Sequence, residues 1–170
     1  MKAKPNQAIR RLVVTALFAA AITVMTAYIL HIPTGMGYIH IGDMMIYLAA
    51  CLLPAPYAIA AGMIGGALAD LLTAPLWVVP TLIMKCLIVL PFTSRGARFL
   101  TRRNKVAVIL AGAISPVGYG LAACVLAGGA AGFLPSFLST LVQSVANGIL
   151  FALLAAALDR ANLKQRLTVL

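Results

Sequence analysis

Asp43, Asp70 and Lys85 stand within a stretch, Gly35 to Lys85, that is otherwise apolar enough to lie in hydrocarbon. A charge at that depth costs about 2.5–3.5 kcal/mol on insertion scales and more on others, so such residues mark something the fold must shelter or use. The remaining composition agrees with a membrane setting. Hydrophobic residues make up 63% of the chain and charged ones 9%, where a water-soluble domain carries about a quarter. At about 20 apolar residues per spanning helix, 170 residues accommodate about six spans. The expected fold is all-α and integral to the membrane. It is a single domain over residues 1–170, a compact bundle of six helices at about 10–31, 43–53, 57–72, 78–93, 106–127 and 135–158.

The net charge of +10 does not spread over a solvated face. Twelve of the thirteen Lys and Arg fall in three clusters: Lys2, Lys4, Arg10 and Arg11; Arg95, Arg98, Arg102, Arg103 and Lys105; and Arg160, Lys164 and Arg166. With six spans all three lie on one side, which the positive-inside rule makes cytoplasmic, together with both termini. They read as topology determinants in contact with anionic lipid rather than as a nucleic-acid patch. Cys51, Cys86 and Cys124 sit apart in separate apolar segments, as packing residues do. The first apolar run, Leu12 to Leu30, is long for a signal core and is read as a retained first helix.

That first helix carries small residues at helical spacing, Ala16 and Ala20 on one stripe and Thr15, Ala19, Thr23 and Ala27 on the next. Such stripes let backbones approach closely, within the bundle or against a partner subunit. From Ile32 to Gly42 a run punctuated by Pro33, Gly35, Gly37 and Gly42, with Tyr38 and His40 between, cannot continue a helix. It is long enough to fold over a pocket mouth at the outer surface. His31 and His40 have no further His or Cys at helical spacing, so a hydrogen-bonding or lid role is expected and metal is not. Asp43 opens the second span, where the helix dipole favours an anion and simple capping would explain it.

In the third span Asp70 follows Gly62 and Gly66 along one line, at the outer end of a small-residue seam. Trp77, in the following loop, suits the aromatic belt of the membrane interface. Lys85, seven residues into the fourth span, calls for a carboxylate or water, either in an Asp70–Lys85 ion pair or in direct contact with a ligand. The fifth span contains Pro116 and several glycines, with Tyr119 in its outer half. In the sixth, Ser136, Ser139, Gln143 and Asn147 form one polar stripe, fit either for bonds between helices or for lining a pocket. Asp159 is expected to pair with Arg160 or to be solvated. Polar groups from five spans and one loop thus reach similar depths in the outer half. A single apolar-walled cavity open to the outside accounts for them together.

The patterns Y-I-H-I-G-D, L-P-A-P-Y, G-G-A-L-A-D-L-L and P-T-L-I-M-K, with the Ala16-x-x-x-Ala20 motif, resemble the substrate-binding S components of energy-coupling factor (ECF) vitamin transporters. The resemblance implies a vitamin-capturing subunit of a prokaryotic cell membrane, neither an enzyme nor an ATPase. Its partners would be a transmembrane coupling subunit, met through Ala16 and Ala20, and two cytoplasmic ATPases that use the ATP. No cofactor and no metal would be bound by the chain itself. The absence of any G-x-x-x-x-G-K-[ST] sequence agrees. Carried onto this chain, the ligand site would comprise Tyr38, His40, Lys85, Tyr119, Gln143 and Asn147, with Asp43, Asp70 and Trp77 as a charge pair or gate. A cationic Lys85 beside two amides leans towards a pyridoxine-like, pyrimidine or pantothenate-like ligand. The competing readings are a small membrane assembly protein and a stand-alone carrier. A membrane enzyme is disfavoured because no H-E-x-x-H, G-x-S-x-G or carboxylate pair at helical spacing is present.

Overall fold

The computed structural model describes residues 5–35 and 37–169, so Lys2 and Lys4 of the first basic cluster lie outside the described residues. Seven α-helices, one β-hairpin, a π-helical turn and two 3-10 turns make up the regular structure of the described chain. Helix α1 (Pro5–Val24) runs on into a π-helical turn (Met25–Ile29), and the hairpin β1 (His31–Thr34) and β2 (Gly37–His40) follows. Then come α2 (Gly42–Leu52), α3 (Ala55–Thr73), α4 (Val78–Val89), α5 (Arg102–Leu126), α6 (Phe133–Arg160) and α7 (Leu163–Val169). Among the described residues four helical stretches are long and apolar enough to cross a membrane: Gln7–Ile29, Ala55–Thr73, Arg102–Leu126 and Ala130–Arg160. Helices α2 and α4 are apolar but shorter.

Helix α2 is the axis of the bundle. Nine of its eleven residues are buried, which is what a helix apolar on every side requires. Successive contacts α1–α3, α3–α4, α4–α5 and α5–α6 form an arc, and α2 touches α1, α3, α4 and α6 from inside it. Glycine makes the tightest seam possible. A Cβ at Gly65 on α3 would stand 2.7 Å from the Ala19 carbonyl and 2.8 Å from Ile22 Cβ on α1. Across that seam Thr23 Oγ1 donates to the Gly65 carbonyl at 3.0 Å. The two small-residue stripes of α1 therefore separate. Thr15, Ala19 and Ile22 are buried on the side facing α3, whereas Ala16 and Ala20 are exposed.

The aromatic core lies towards the basic end, where Tyr47 stacks on Phe92 (centroids 5.2 Å apart) and meets Phe151 edge-on at 5.8 Å. The loop between α4 and α5 is held there by backbone bonds. Buried Asn104 accepts from Thr93 N–H at 2.9 Å and donates to the Thr93 and Phe99 carbonyls. Asp159 does not pair with Arg160 as expected; its carboxylate accepts from the backbone N–H of Phe99 at 2.7 Å and Leu100 at 3.0 Å. Two adjacent unsatisfied N–H groups are a better partner than a solvated arginine, because leaving them bare would be costly. Arg10 donates to the Leu167 carbonyl and so ties α1 to α7.

Candidate functional site

At the end of the bundle away from the basic loops, the hairpin lies across the ends of α2, α3, α4, α5 and α6 and covers a polar hollow. Its strands pair antiparallel with His31 opposite His40 and Thr34 opposite Gly37. The turn into α2 lacks a side-chain cap of its own. Two amides of α6 replace it. Asn147 Oδ1 accepts from Met44 N–H at 2.8 Å while its Nδ2 donates to the His40 carbonyl at 2.8 Å, and Gln143 Oε1 accepts from His40 N–H at 3.1 Å. Of the orphan N–H groups at the start of α2, that of Met44 is thus satisfied from a neighbouring helix and that of Gly42 by the His40 ring. Asn147 is fully buried, with donors and acceptor committed to backbone, and it stands behind the hollow rather than on its wall.

The expected Asp70–Lys85 ion pair is replaced by one between Lys85 and Asp43. Lys85 Nζ sits 2.5 Å from Asp43 Oδ1, with 2% and 0% of the two side chains exposed. Gln143 Nε2 reaches the other Asp43 oxygen at 3.4 Å, and the Tyr119 ring centroid lies 5.6 Å from the ammonium. Asp43 is therefore more than a helix cap, since a buried cation claims it. Gly66 makes room for the lysine stem, as a Cβ there would come within 3.2 Å of Lys85 Cγ and 2.9 Å of Thr81 Cγ2.

Asp70 takes a different partner. The Tyr38 hydroxyl, next to the hairpin tip on β2, donates to Asp70 Oδ1. Burial and the neighbouring Asp70 charge hold the Tyr38 phenol well above its usual range, so it stays a donor. Asp70 Oδ2 is buried and has no hydrogen-bond partner. Thr81, close enough to influence the carboxyl, makes its bond instead with Tyr119 Oη at 2.9 Å. Trp77 leans over the hairpin at Gly37 and against Tyr119, with ring centroids 5.8 Å apart.

Among the residues anticipated from sequence, Tyr38, His40, Asp70, Trp77, Lys85, Tyr119 and Gln143 line one hollow, and Asp43 and Asn147 hold it from behind. Thr26, Thr81 and Thr140 also line it and were not singled out. For two of these a signal existed, since Thr81 precedes Lys85 by one helical turn and Thr140 precedes Gln143 by three residues. The free space is about 40 Å³, room for about three waters and less than any vitamin needs. A larger crevice of about 570 Å³ at the basic end, beside Arg95 and Arg103, has none of this convergence of buried polar groups.

His40 Nδ1 accepts from Gly42 N–H at 3.0 Å, which leaves the ring proton on Nε2. Burial, aided by Lys85 and His31 against the opposing pull of Asp43, pushes the imidazole down to about 3. The unfolded chain takes up a proton near pH 6.5 that the folded one refuses. The His40 contribution to stability is therefore complete above pH 6.5 and declines as pH falls from there towards 3. Thermal midpoints of the detergent-solubilised protein between pH 4 and 8 should show this slope, and His40→Asn should flatten it.

The family model described as ECF-type riboflavin transporter, S component, matches residues 6–160. The chain belongs to that family. An S component is the substrate-binding membrane subunit of a vitamin-type transporter and not an enzyme. This S component also resembles a protein of Pyrococcus woesei, named an uncharacterised protein in the gap 3′ region. The two are 33% identical over 133 residues, 76% of this chain and 88% of that protein.

Proposed function

We propose that this S component captures one small water-soluble vitamin or vitamin precursor in the hollow beneath the hairpin. On this reading the bundle crosses the membrane six times with both termini cytoplasmic, and α2 and α4 make the two short passes. The hairpin faces outward as a lid. Uptake is driven by ATP through a transmembrane coupling subunit and two ATPases, with the exposed Ala16 and Ala20 as the docking stripe. The observation that carries the proposal is the convergence of buried polar side chains from the hairpin and four helices on one hollow. A bundle needing only internal glue would have no reason to leave one acidic oxygen bare at that point.

The hollow has only about 40 Å³ free, so on this reading a vitamin enters when the hairpin lifts. Riboflavin, which the family's description names, is a second reading and would demand the larger opening. Trp77 is the single tryptophan and lies in the wall, so its fluorescence reports directly on occupancy. Titration of purified protein with the aminopyrimidine half of thiamine, pyridoxine, pantothenate, nicotinate and riboflavin should give one saturable response. No response to any of them would overturn the capture reading, and accumulation into proteoliposomes holding this chain alone would overturn the need for an ATPase module.

A further inference from the structure

Three charged side chains meet around the hollow, and they do not balance. Lys85 is matched by Asp43 at 2.5 Å, and His40 has no charge to offer while its ring accepts from Gly42 N–H. Asp70 remains. It is 1% exposed, it receives the Tyr38 hydroxyl on one oxygen, and its other oxygen makes no hydrogen bond, the nearby Thr81 hydroxyl being engaged with Tyr119 Oη. Among the described residues this is the one carboxylate oxygen left buried and unpartnered. An ionised carboxylate accepts at several lone pairs and is costly to leave short of donors in a low-dielectric site.

We propose that Asp70 is the recognition group of this site and that the ligand supplies its missing donor, as an N–H of a nitrogen heterocycle that carries no carboxylate. The assignment rests on the capture reading and reverses the sequence-based expectation that Lys85 attracts an anionic ligand. Lys85 has no spare charge for a ligand carboxylate, and a second acid beside Asp70 would meet repulsion with nothing to offset it. Trp77 and Tyr119 flank the same space with aromatic faces, as a flat heterocycle requires. Pantothenate, nicotinate and other carboxylate-bearing vitamins are thereby excluded.

The test compares ligands on the wild-type protein and on Asp70→Asn by Trp77 fluorescence and by calorimetry. Wild type should bind a donor-bearing ligand, whether the aminopyrimidine, pyridoxine or riboflavin, at least tenfold more tightly than pantothenate or nicotinate. Asp70→Asn should weaken that ligand by about 10- to 100-fold, the effect of a lost bond to a charged group. Tightest binding of pantothenate or nicotinate to wild type overturns the assignment while leaving vitamin capture intact. Unchanged affinity in a folded Asp70→Asn does the same. Silence towards the whole panel overturns both together. If Asp70→Asn fails to fold, the wild-type selectivity decides alone.

Discussion

Lys85→Ala is expected to destabilise the solubilised protein by about 3–5 kcal/mol, the cost of stranding a buried charge without its partner. Asp43 is fully buried at the start of α2, and without the ammonium it retains only the long contact from Gln143 Nε2 at 3.4 Å. The loss should be recovered in large part by Lys85→Met combined with Asp43→Asn, which removes both charges and keeps an amide for Gln143 to meet. Urea or thermal unfolding of the two variants in one detergent checks this. A Lys85→Ala protein as stable as wild type would mean that the pair adds nothing to the fold and that Lys85 is held in place for the ligand alone.

The second large effect is expected at Gly65. An alanine methyl there would press on the Ala19 carbonyl at 2.7 Å and on Ile22 Cβ at 2.8 Å. Neither is the end of a flexible side chain, so α1 and α3 must move apart. Overpacking of this kind costs about 1–3 kcal/mol for alanine, and Gly65→Val should cost more. The same substitution at Gly112, where nothing lies within 4 Å, should be neutral or stabilising by up to about 1 kcal/mol from helix propensity. If the two alanine variants melted alike, close approach of α1 and α3 would not be what Gly65 provides.

Which side chains meet in the hollow was largely readable from the chain, because an apolar bundle offers few places to put a lysine, an acid or an amide. Which acid meets the lysine was not. Asp70 follows Gly66 by one turn of α3, and that alignment made it the nearer candidate on paper. The rotation of α2, which turns Asp43 inward, depends on Asn147 and Gln143 gripping its first backbone groups from α6, a contact over more than a hundred residues of chain. No local spacing encodes it. The hairpin is a similar case. Its prolines and glycines ruled out helix, yet strand pairing of His31–Thr34 with Gly37–His40 follows from closing the loop over the bundle. Asp159 was misassigned for the same reason, since its partners are backbone groups some sixty residues away.

The amide clasp of α6 acts on only one margin of the hairpin. Gln143 and Asn147 take hold of His40, at the base of the returning strand, whereas the tip near Gly37 is fastened by the Tyr38 hydroxyl on Asp70 and by the Trp77 ring. On the capture reading the flap is hinged at His40 and latched at its tip, so opening it means breaking the Tyr38 phenol bond and drawing Gly37 off the indole of Trp77.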